Sequence, residues 1–226
     1  MNCQNRKPIS QYFEREARIL EICRGKRILH LGCVGATDLP DEDRIKLAPE
    51  LLHSRLSKIA DVTGVDSSAS VIDAYQRLRI FDNIVEGDVQ HLAALPVDEP
   101  FDVIVAGDII EHLSRPGDLL DGMHRFCKQD TKVIITTPHS FGLPNFVRHA
   151  LGRFRDGDEH VMSFNSDNMI NMLSRHHYVI DSLDTCHQRS ARGWRPTFVA
   201  GKILFKMMPR MGGTLFVVAR SQAAGG

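Results

Sequence analysis

Short apolar segments alternate with amphipathic ones along most of the chain, and this alternation is the feature that most constrains the fold. The segments that read as buried strands are 27–31, 61–66, 83–86, 101–105 and 132–136. The helical patterns between them include 47–60, 68–78 and 116–127. Strands joined through helices pair in parallel and are covered on both faces. The alternation therefore predicts an α/β fold with a parallel sheet between two layers of helices.

The two ends of the chain and two interruptions complete this plan. An apolar stripe that follows Pro8 predicts an N-terminal helix over about 8–24. Two final strands are expected at 178–183 and 214–219. The stretches 139–165 and 189–213 break the rhythm and are interpreted as insertions. A length of 226 residues suits one sizeable domain, so we expect a single domain over 1–226.

Composition narrows the classes of function. Lys plus Arg and Asp plus Glu number 28 each, which argues against broad electrostatic capture of nucleic acid. Five scattered cysteines contain no CxxC pair, so they favour reduced thiols over a zinc site or a disulfide framework. No apolar run resembles a signal peptide or approaches the roughly 18 residues of a membrane span. A cytoplasmic location is expected.

A glycine-containing turn follows the first of the five strands. Gly32 and Gly35 would let the backbone turn and approach a ligand closely. A tight strand exit without a ligand would use the same residues. The dinucleotide fingerprint GxGxxG is missing, which disfavours a nicotinamide dehydrogenase.

Two aspartates follow the next strands. Asp66 ends the strand 61–66, where a carboxylate can accept hydrogen bonds from ribose hydroxyls, and Asp88 follows 83–86, near where an adenine would lie. Alternatively, Asp66 caps the next helix and Asp88 forms a turn beside Gly87. Ligands bind open α/β sheets at the carboxyl ends of successive strands, so the order of these signals favours a nucleoside cofactor.

Several motifs together resemble the class I S-adenosylmethionine-dependent methyltransferases. They are RILHLGC at 27–33, VTGVD at 62–66, EGD at 86–88, FDVI at 101–104 and IEHL at 110–113. The resemblance implies a Rossmann-like, mostly parallel sheet with an antiparallel last strand. It also implies S-adenosylmethionine as cofactor. The cofactor-binding residues it implies are Gly32, Cys33 and Gly35 at the methionine end, Asp66 and Ser67 at the ribose, Asp88 and Val89 at the adenine, and Asp108. The family usually has an acidic residue where His30 stands and a glycine where Val34 stands.

Three polar residues follow the strand 101–105. If the stretch is helical, Asp108, Glu111 and His112 share one face because positions i, i+3 and i+4 are neighbours. Together with His160, they could hold a divalent cation. The pattern resembles the ubiquinone-pathway and small-RNA 2′-O-methyltransferases, which implies a metal such as Mg²⁺ or Mn²⁺ that activates the acceptor hydroxyl. Without a metal, His112 would be the catalytic base oriented by Asp108 and Glu111, or simply a structural histidine.

The two insertions carry the remaining candidate residues. His139 and His160 could face the acceptor, and Arg148 and Arg155 suit a phosphate, although a solvated loop would look similar. In 198–211, basic residues spaced four apart adjoin apolar ones. This pattern favours docking on a membrane surface, a lid or a homodimer contact.

These observations predict methyl transfer to an acceptor oxygen. The first choice of acceptor is a sugar hydroxyl, and the resemblance implies a glycan or glycolipid precursor in polysaccharide biosynthesis. The alternative is a small aromatic or quinone-type metabolite. From another class, the chain could be a non-catalytic module that only binds the cofactor and a partner.

Overall fold

The computed structural model describes residues 9–35, 39–97, 100–152, 159–188 and 196–222, with the backbone alone for 196–200. The strands are β1 Tyr12–Glu14, β2 Arg27–Leu31, β3 Asp61–Asp66, β4 Ile84–Glu86, β5 Phe101–Gly107, β6 Cys127–Pro138, β7 Tyr178–His187 and β8 Thr214–Ser221. The α-helices are α1 Arg15–Cys23, α2 Asp41–Leu47, α3 Leu52–Ser57, α4 Ala69–Arg77, α5 Pro116–Met123, α6 Leu143–Ala150, α7 Ser166–Arg175 and α8 Pro196–Met207.

The strands form one sheet in the order β1-β7-β8-β6-β5-β2-β3-β4. Strand β8 runs antiparallel to its neighbours β6 and β7, and every other pair is parallel. The predicted fold, a mostly parallel sheet with an antiparallel last strand, is confirmed. Seven strands therefore end at one side of the sheet, which we call the carboxyl edge.

Both faces of the sheet are buried, which explains why its central strands are apolar throughout. Leu29 and Ile104 point into one cluster with α5 and α7, while Ile28 and Val105 point into the other with α1 and α3. The residues of α4 pack in a third cluster beside β4. Alternate side chains along each strand enter opposite layers, as the pleat of a strand requires.

Two predicted helices differ from those observed. Residues 12–14 of the predicted helix 8–24 form strand β1 instead, because their backbone pairs with the edge strand β7. Aromatic residues such as Tyr12 and Phe13 suit an edge strand. The predicted helix 47–60 is divided into the end of α2, a 3₁₀ turn over Ala48–Glu50 and α3, since Pro49 and the extended Leu51 interrupt the α-helical backbone.

Both predicted insertions leave the carboxyl edge of the sheet. The first, 139–165, contains α6 and follows β6; the second, 189–213, contains α8 and joins β7 to β8. Phe205 of α8 contacts the ring of Tyr12, with ring centroids 5.2 Å apart. Among the described helices, none combines the length and the apolar character that spanning a bilayer would require. That the whole chain forms a single domain stays a prediction.

Candidate active site at the carboxyl edge of the sheet

The turn after β2 requires glycine at its first position. Gly32 has a φ of +68°, and a Cβ atom there would lie 2.7 Å from Cδ1 of Ile109. Its amide donates a 2.8 Å hydrogen bond to the carbonyl of Val65. Gly35 also has a positive φ, of +56°. The close approach of Ile109 joins this turn to the segment that follows β5, so the two candidate halves of the site are in contact.

The carboxylate of Asp66 joins the glycine turn to the start of α4. One oxygen accepts the amide of Val34 at 2.9 Å and the other accepts the amide of Ser68 at 3.1 Å. Asp66 is only 7% exposed. Each carboxylate oxygen has a second acceptor site, so the group can also accept from a pair of ribose hydroxyls. Asp66 can therefore accept the Ser68 amide at the start of α4 and bind a ligand at the same time.

Arg44 is a buried residue that the sequence analysis missed. Its Nε donates to the carbonyl of Gly35 at 3.2 Å, and Nη2 donates to Oγ of Ser68 at 2.6 Å. The same guanidinium lies 3.4 Å from Asp41. Arg44 thus fixes the end of the glycine turn against α4. The isolated arginine in a polar segment gives no sequence signal, because only the folding of α2 brings it under the turn.

The other predicted cofactor residues differ in what they can offer. Cys33 and Val89 have buried side chains, so their backbone groups are what a ligand could reach. Ser67 is exposed beside Asp66. Asp88 caps the 3₁₀ turn after it by accepting the Gln90 amide at 2.8 Å, and it pairs with His91. Partial burial raises the pKa of Asp88, but these hydrogen bonds outweigh that effect and the net pKa is lowered.

His30 and His53 form a buried pair behind the glycine turn. Their Nδ1 atoms are 3.3 Å apart, and Nε2 of His53 lies 3.2 Å from Oδ1 of Asn83. Burial lowers the pKa of both imidazoles. His53 lowers the pKa of His30 further, whereas the hydrogen bond with Asn83 partly opposes the effect of burial on His53. His53 has no exposed surface and both of its ring nitrogens have partners, so its ring is not accessible to an acceptor.

Asp108 does not share a helical face with Glu111 and His112, so that part of the sequence prediction is wrong. Its φ is +52°, and the helical turn that follows is a 3₁₀ turn over Ile110–His112. The carboxylate instead accepts from Thr136 and Gln188, each at 2.9 Å, and lies 3.4 Å from Arg15.

Arg15 reaches Asp108 by crossing β5 at Gly107. A Cβ atom on Gly107 would lie 2.2 Å from Nη2 of Arg15, so the glycine makes room for the guanidinium. Arg15 is 8% exposed and its Nε donates to Oγ1 of Thr136 at 2.9 Å. The sequence carries no signal for Arg15, because its pairing partner is 93 positions away in the chain.

Glu111, His112 and His160 form the only cluster of possible metal-ligating side chains found among the described residues. One ligand atom from each lies within 4.8 Å of the others. The rings of His112 and His160 are perpendicular with centroids 4.7 Å apart, and Nδ1 of His112 lies 3.9 Å from Glu159. Backbone hydrogen bonds from Val161 and Met162 to the Glu111 carbonyl hold this loop in place.

Glu111 is the buried member of the cluster. Burial, with the nearby charge of Asp108, raises the pKa of its carboxyl to about 7, although Thr137 donates to one oxygen at 2.9 Å. A carboxyl with a pKa near neutrality can exchange a proton or bind a cation under physiological conditions. Glu111 is therefore a candidate acid, base or metal ligand.

The substrate candidates in the first insertion have separate positions. His139 is buried at the end of β6, and its Nδ1 lies 3.1 Å from the carbonyl of Gly212. This bond requires a proton on Nδ1, so Nε2 of the neutral ring is an acceptor. Burial lowers the pKa of His139. Arg148 is exposed on α6, whereas Arg155 lies outside the described residues.

Comparison with known proteins identifies the family. The family described as Methyltransferase domain matches residues 2–183. The mitochondrial ubiquinone biosynthesis O-methyltransferase of Schizosaccharomyces pombe is 22% identical over 184 residues, which cover 75% of this chain and 61% of that protein.

Solved structures share the fold at low sequence identity. An S-adenosylmethionine-dependent methyltransferase from Mesorhizobium loti has a TM-score of 0.57 and 17% identity, covering 91% of this chain and 95% of the other. N-methyltransferase NodS from Bradyrhizobium japonicum, solved with S-adenosylhomocysteine, has a TM-score of 0.54 and 15% identity over 92% and 86% of the two chains. The chain belongs to the methyltransferase domain family of class I S-adenosylmethionine-dependent methyltransferases.

Proposed function

We propose that the protein transfers the methyl group of S-adenosylmethionine to an acceptor hydroxyl beside Glu111, His112 and His160. The observation that carries this proposal is the meeting of one carboxylate and two imidazoles within 4.8 Å at the carboxyl edge. Gly32 and Asp66 mark the neighbouring cofactor position. A module that only binds the cofactor would have no use for such a cluster.

The reaction is an in-line displacement. The acceptor oxygen forms a bond to the methyl carbon while the carbon–sulfur bond breaks, and the sulfur keeps the electron pair and loses its positive charge. The hydroxyl proton passes to a base, for which we assign His112. Its side chain is 31% exposed, so it can return the proton to solvent. Alignment of the acceptor and removal of this proton are the two tasks of the protein.

The cluster also fits a divalent cation. One carboxylate and two imidazoles suit Mn²⁺ and related ions better than Mg²⁺, which prefers oxygen ligands. Glu111, His112 and His160 would hold the ion, without Asp108. A bound ion would lower the pKa of the acceptor hydroxyl. When His112 is a ligand, His139 on the next strand is the imidazole left to accept a proton.

Two acceptor classes remain in the proposal. A sugar hydroxyl of a glycan or glycolipid precursor is the first, supported by the exposed Arg148 on α6, which suits a phosphate. A phenolic or quinone-type hydroxyl is the second, supported by the name of the Schizosaccharomyces pombe relative. In either class, an oxygen next to the methylated hydroxyl could also bind the cation.

A cytoplasmic location also stays part of the proposal. Cys23, Cys33, Cys127 and Cys186 are free thiols. Burial raises the pKa of all four. Thiols of this kind are unreactive and suit a reducing compartment.

The experiment is methyl transfer from labelled S-adenosylmethionine to sugar-containing and phenolic acceptor pools, with and without a chelator. For the wild type we expect transfer to one pool. We expect His112→Ala to lower the rate by ~10²–10⁴ without changing cofactor affinity, which is the usual share of a general base. His177→Asn is the matched control, since His177 is exposed at the opposite edge, before β7.

The chelator separates the two versions of the mechanism. If a metal takes part, the chelator abolishes transfer and Mn²⁺ restores it. If transfer survives thorough chelation, the metal-dependent mechanism is excluded and His112 stays the assigned base. Unchanged transfer by His112→Ala, with the chelator also without effect, contradicts the assignment of the cluster to the acceptor.

A further inference from the structure

Helix α6 and its flanking residues expose an unusual amount of apolar surface. The large apolar side chains concerned are Phe141 at 70% exposed, Phe146 at 62%, Val147 at 43% and Leu151 at 67%. No residue of α6 is buried. Exposed aromatic and aliphatic side chains grouped on one short helix mark an interaction surface, whereas single ones are common and carry no meaning.

Helix α8 exposes a second group of apolar side chains. They are Ile203 at 58% exposed, Leu204 at 40%, Met207 at 78% and, directly after the helix, Met208 at 47%. Phe205 turns inward and packs on Tyr12. The helix is therefore attached to the sheet through one side and presents its other apolar residues outward.

The two groups meet at one junction beside the candidate active site. A Cβ atom on Gly142, just before α6, would lie 2.4 Å from the carbonyl oxygen of Gly212, which follows α8. Asn145 of α6 donates to the carbonyl of Gly213 at 3.2 Å. His139 contacts the same turn through Gly212. The apolar groups of 141–152 and 201–211, which we call the apolar rim, thus adjoin His139, a candidate acceptor-facing residue.

The charge of the rim is one-sided. Segments 141–152 and 201–211 contain Arg148, Lys202, Lys206 and Arg210 and no carboxylate, so they carry four positive charges, while the whole chain balances 28 against 28. Arg148, Lys206 and Arg210 are exposed. A surface that combines apolar side chains with excess cations complements the interface of an anionic bilayer. A second copy of the chain would place these like charges against one another.

We propose that the apolar rim docks the protein on the surface of a membrane that contains anionic lipids. Phe146, Leu151 and Met207 enter the headgroup region, and Lys206 and Arg210 pair with lipid phosphates. Docking presents the acceptor site to an acceptor held in the lipid layer. This role of the docking rests on the proposed function. The binding itself needs no methyl transfer.

The experiment is co-sedimentation of the full chain with vesicles of phosphatidylcholine alone or mixed with phosphatidylglycerol. We expect binding to the mixed vesicles and at least about tenfold weaker partition to pure phosphatidylcholine or at high salt. Two variants test the rim: Phe146→Ser with Leu151→Ser and Met207→Ser for its apolar part, and Lys206→Glu with Arg210→Glu for its charges.

Each rim variant should lower the partition by about tenfold or more. The matched control is Leu78→Ser with Arg77→Glu, which changes an equally exposed apolar residue and a cation at the end of α4. Thermal unfolding and S-adenosylhomocysteine titration show whether the variants keep the fold and the cofactor site. A loss of vesicle binding with unchanged cofactor binding supports docking independently of the methyl transfer.

Three results would overturn the proposal. The first is a wild-type chain that binds neither kind of vesicle. The second is binding that the two rim variants share equally with the control. The third is a stable dimer in sedimentation velocity that the apolar variant converts to a monomer, since the rim would then be covered by a second copy.

Discussion

Nη2 of Arg15, at the start of α1, lies 3.4 Å from Oδ2 of Asp108, at the carboxyl end of β5. Thr136 connects the two by accepting from Arg15 and donating to Asp108, each at 2.9 Å. Helix α1 is thereby tied to the segment that carries the candidate acceptor cluster. The charge of Asp108 raises the pKa of Glu111 and that of Arg15 lowers it, so the pair also sets the electrostatics of the cluster.

The first prediction concerns the coupling of this pair. Arg15→Leu should lower the free energy of unfolding by about 1–3 kcal/mol, because it leaves a largely buried carboxylate without its cation. Arg15→Leu should lower the free energy of unfolding less in the Asp108→Asn background than in the wild type. A double-mutant cycle of urea unfolding measures this difference. Arg18→Leu in the same helix breaks an exposed pair with Glu21 and a contact over the Phe13 ring, and should cost at most about 1 kcal/mol. Equal costs for the two arginines would contradict the coupling.

The second prediction concerns Arg44 beneath the glycine turn. Arg44→Leu removes the donors to Gly35 and Ser68, so the turn loses its fixed position. We expect S-adenosylhomocysteine to bind about tenfold more weakly in calorimetry, equivalent to about 1.4 kcal/mol. Lys46→Leu is the control because Lys46 lies in the same helix and pairs only with Asp43 at the surface. An unchanged affinity in Arg44→Leu would show that the fixed position of the turn does not contribute to cofactor binding.

The central sheet and the position of Asp66 at its carboxyl edge were predictable from sequence because both depend on local pattern. Continuous apolar strands can only be buried on both faces, and Asp66 directly ends one of them. The contacts that cross the structure were not predictable. Arg15 and Arg44 carry no periodic signal, and each meets its partners only after folding. The prediction that Asp108 and Glu111 share a helical face was wrong because it assumed an α-helix after β5. The structure instead has a positive φ at Asp108, followed by a 3₁₀ turn.

The third prediction concerns pH and the buried histidine pair. Burial holds the pKa of His30 and His53 below the ordinary 6.5, so both stay neutral in the fold while the unfolded chain takes up protons. Their stabilisation is therefore complete above about pH 6.5 and decreases as the pH falls through and below it. Glu111, with its pKa raised to about 7, acts in the opposite direction: its contribution is present below pH 4.5 and is lost as the pH rises toward 7.

Because the two contributions oppose each other, the test compares variants. The free energy of unfolding of the wild type minus that of His30→Leu with His53→Leu should increase with pH between about 5 and 7. His177→Asn, which replaces an exposed histidine outside the pair, is the control. A difference for the histidine pair that varies with pH no more than that of the control would show that the neutrality of the pair adds nothing to the pH dependence.

The measurement that tests the cofactor site most directly is calorimetric titration of S-adenosylhomocysteine into the wild type, Asp66→Asn and His112→Ala. Asp66 should carry the ribose, so Asp66→Asn should bind ~1–3 kcal/mol more weakly, the scale of a charge-assisted hydrogen bond. We predict binding at one site in the wild type and an affinity for His112→Ala within about twofold of it, since His112 acts on the acceptor. Thermal unfolding checks that Asp66→Asn keeps its fold, because Asp66 also binds the amides of Val34 and Ser68. A wild type that does not bind, or a folded Asp66→Asn with unchanged affinity, would contradict the assignment.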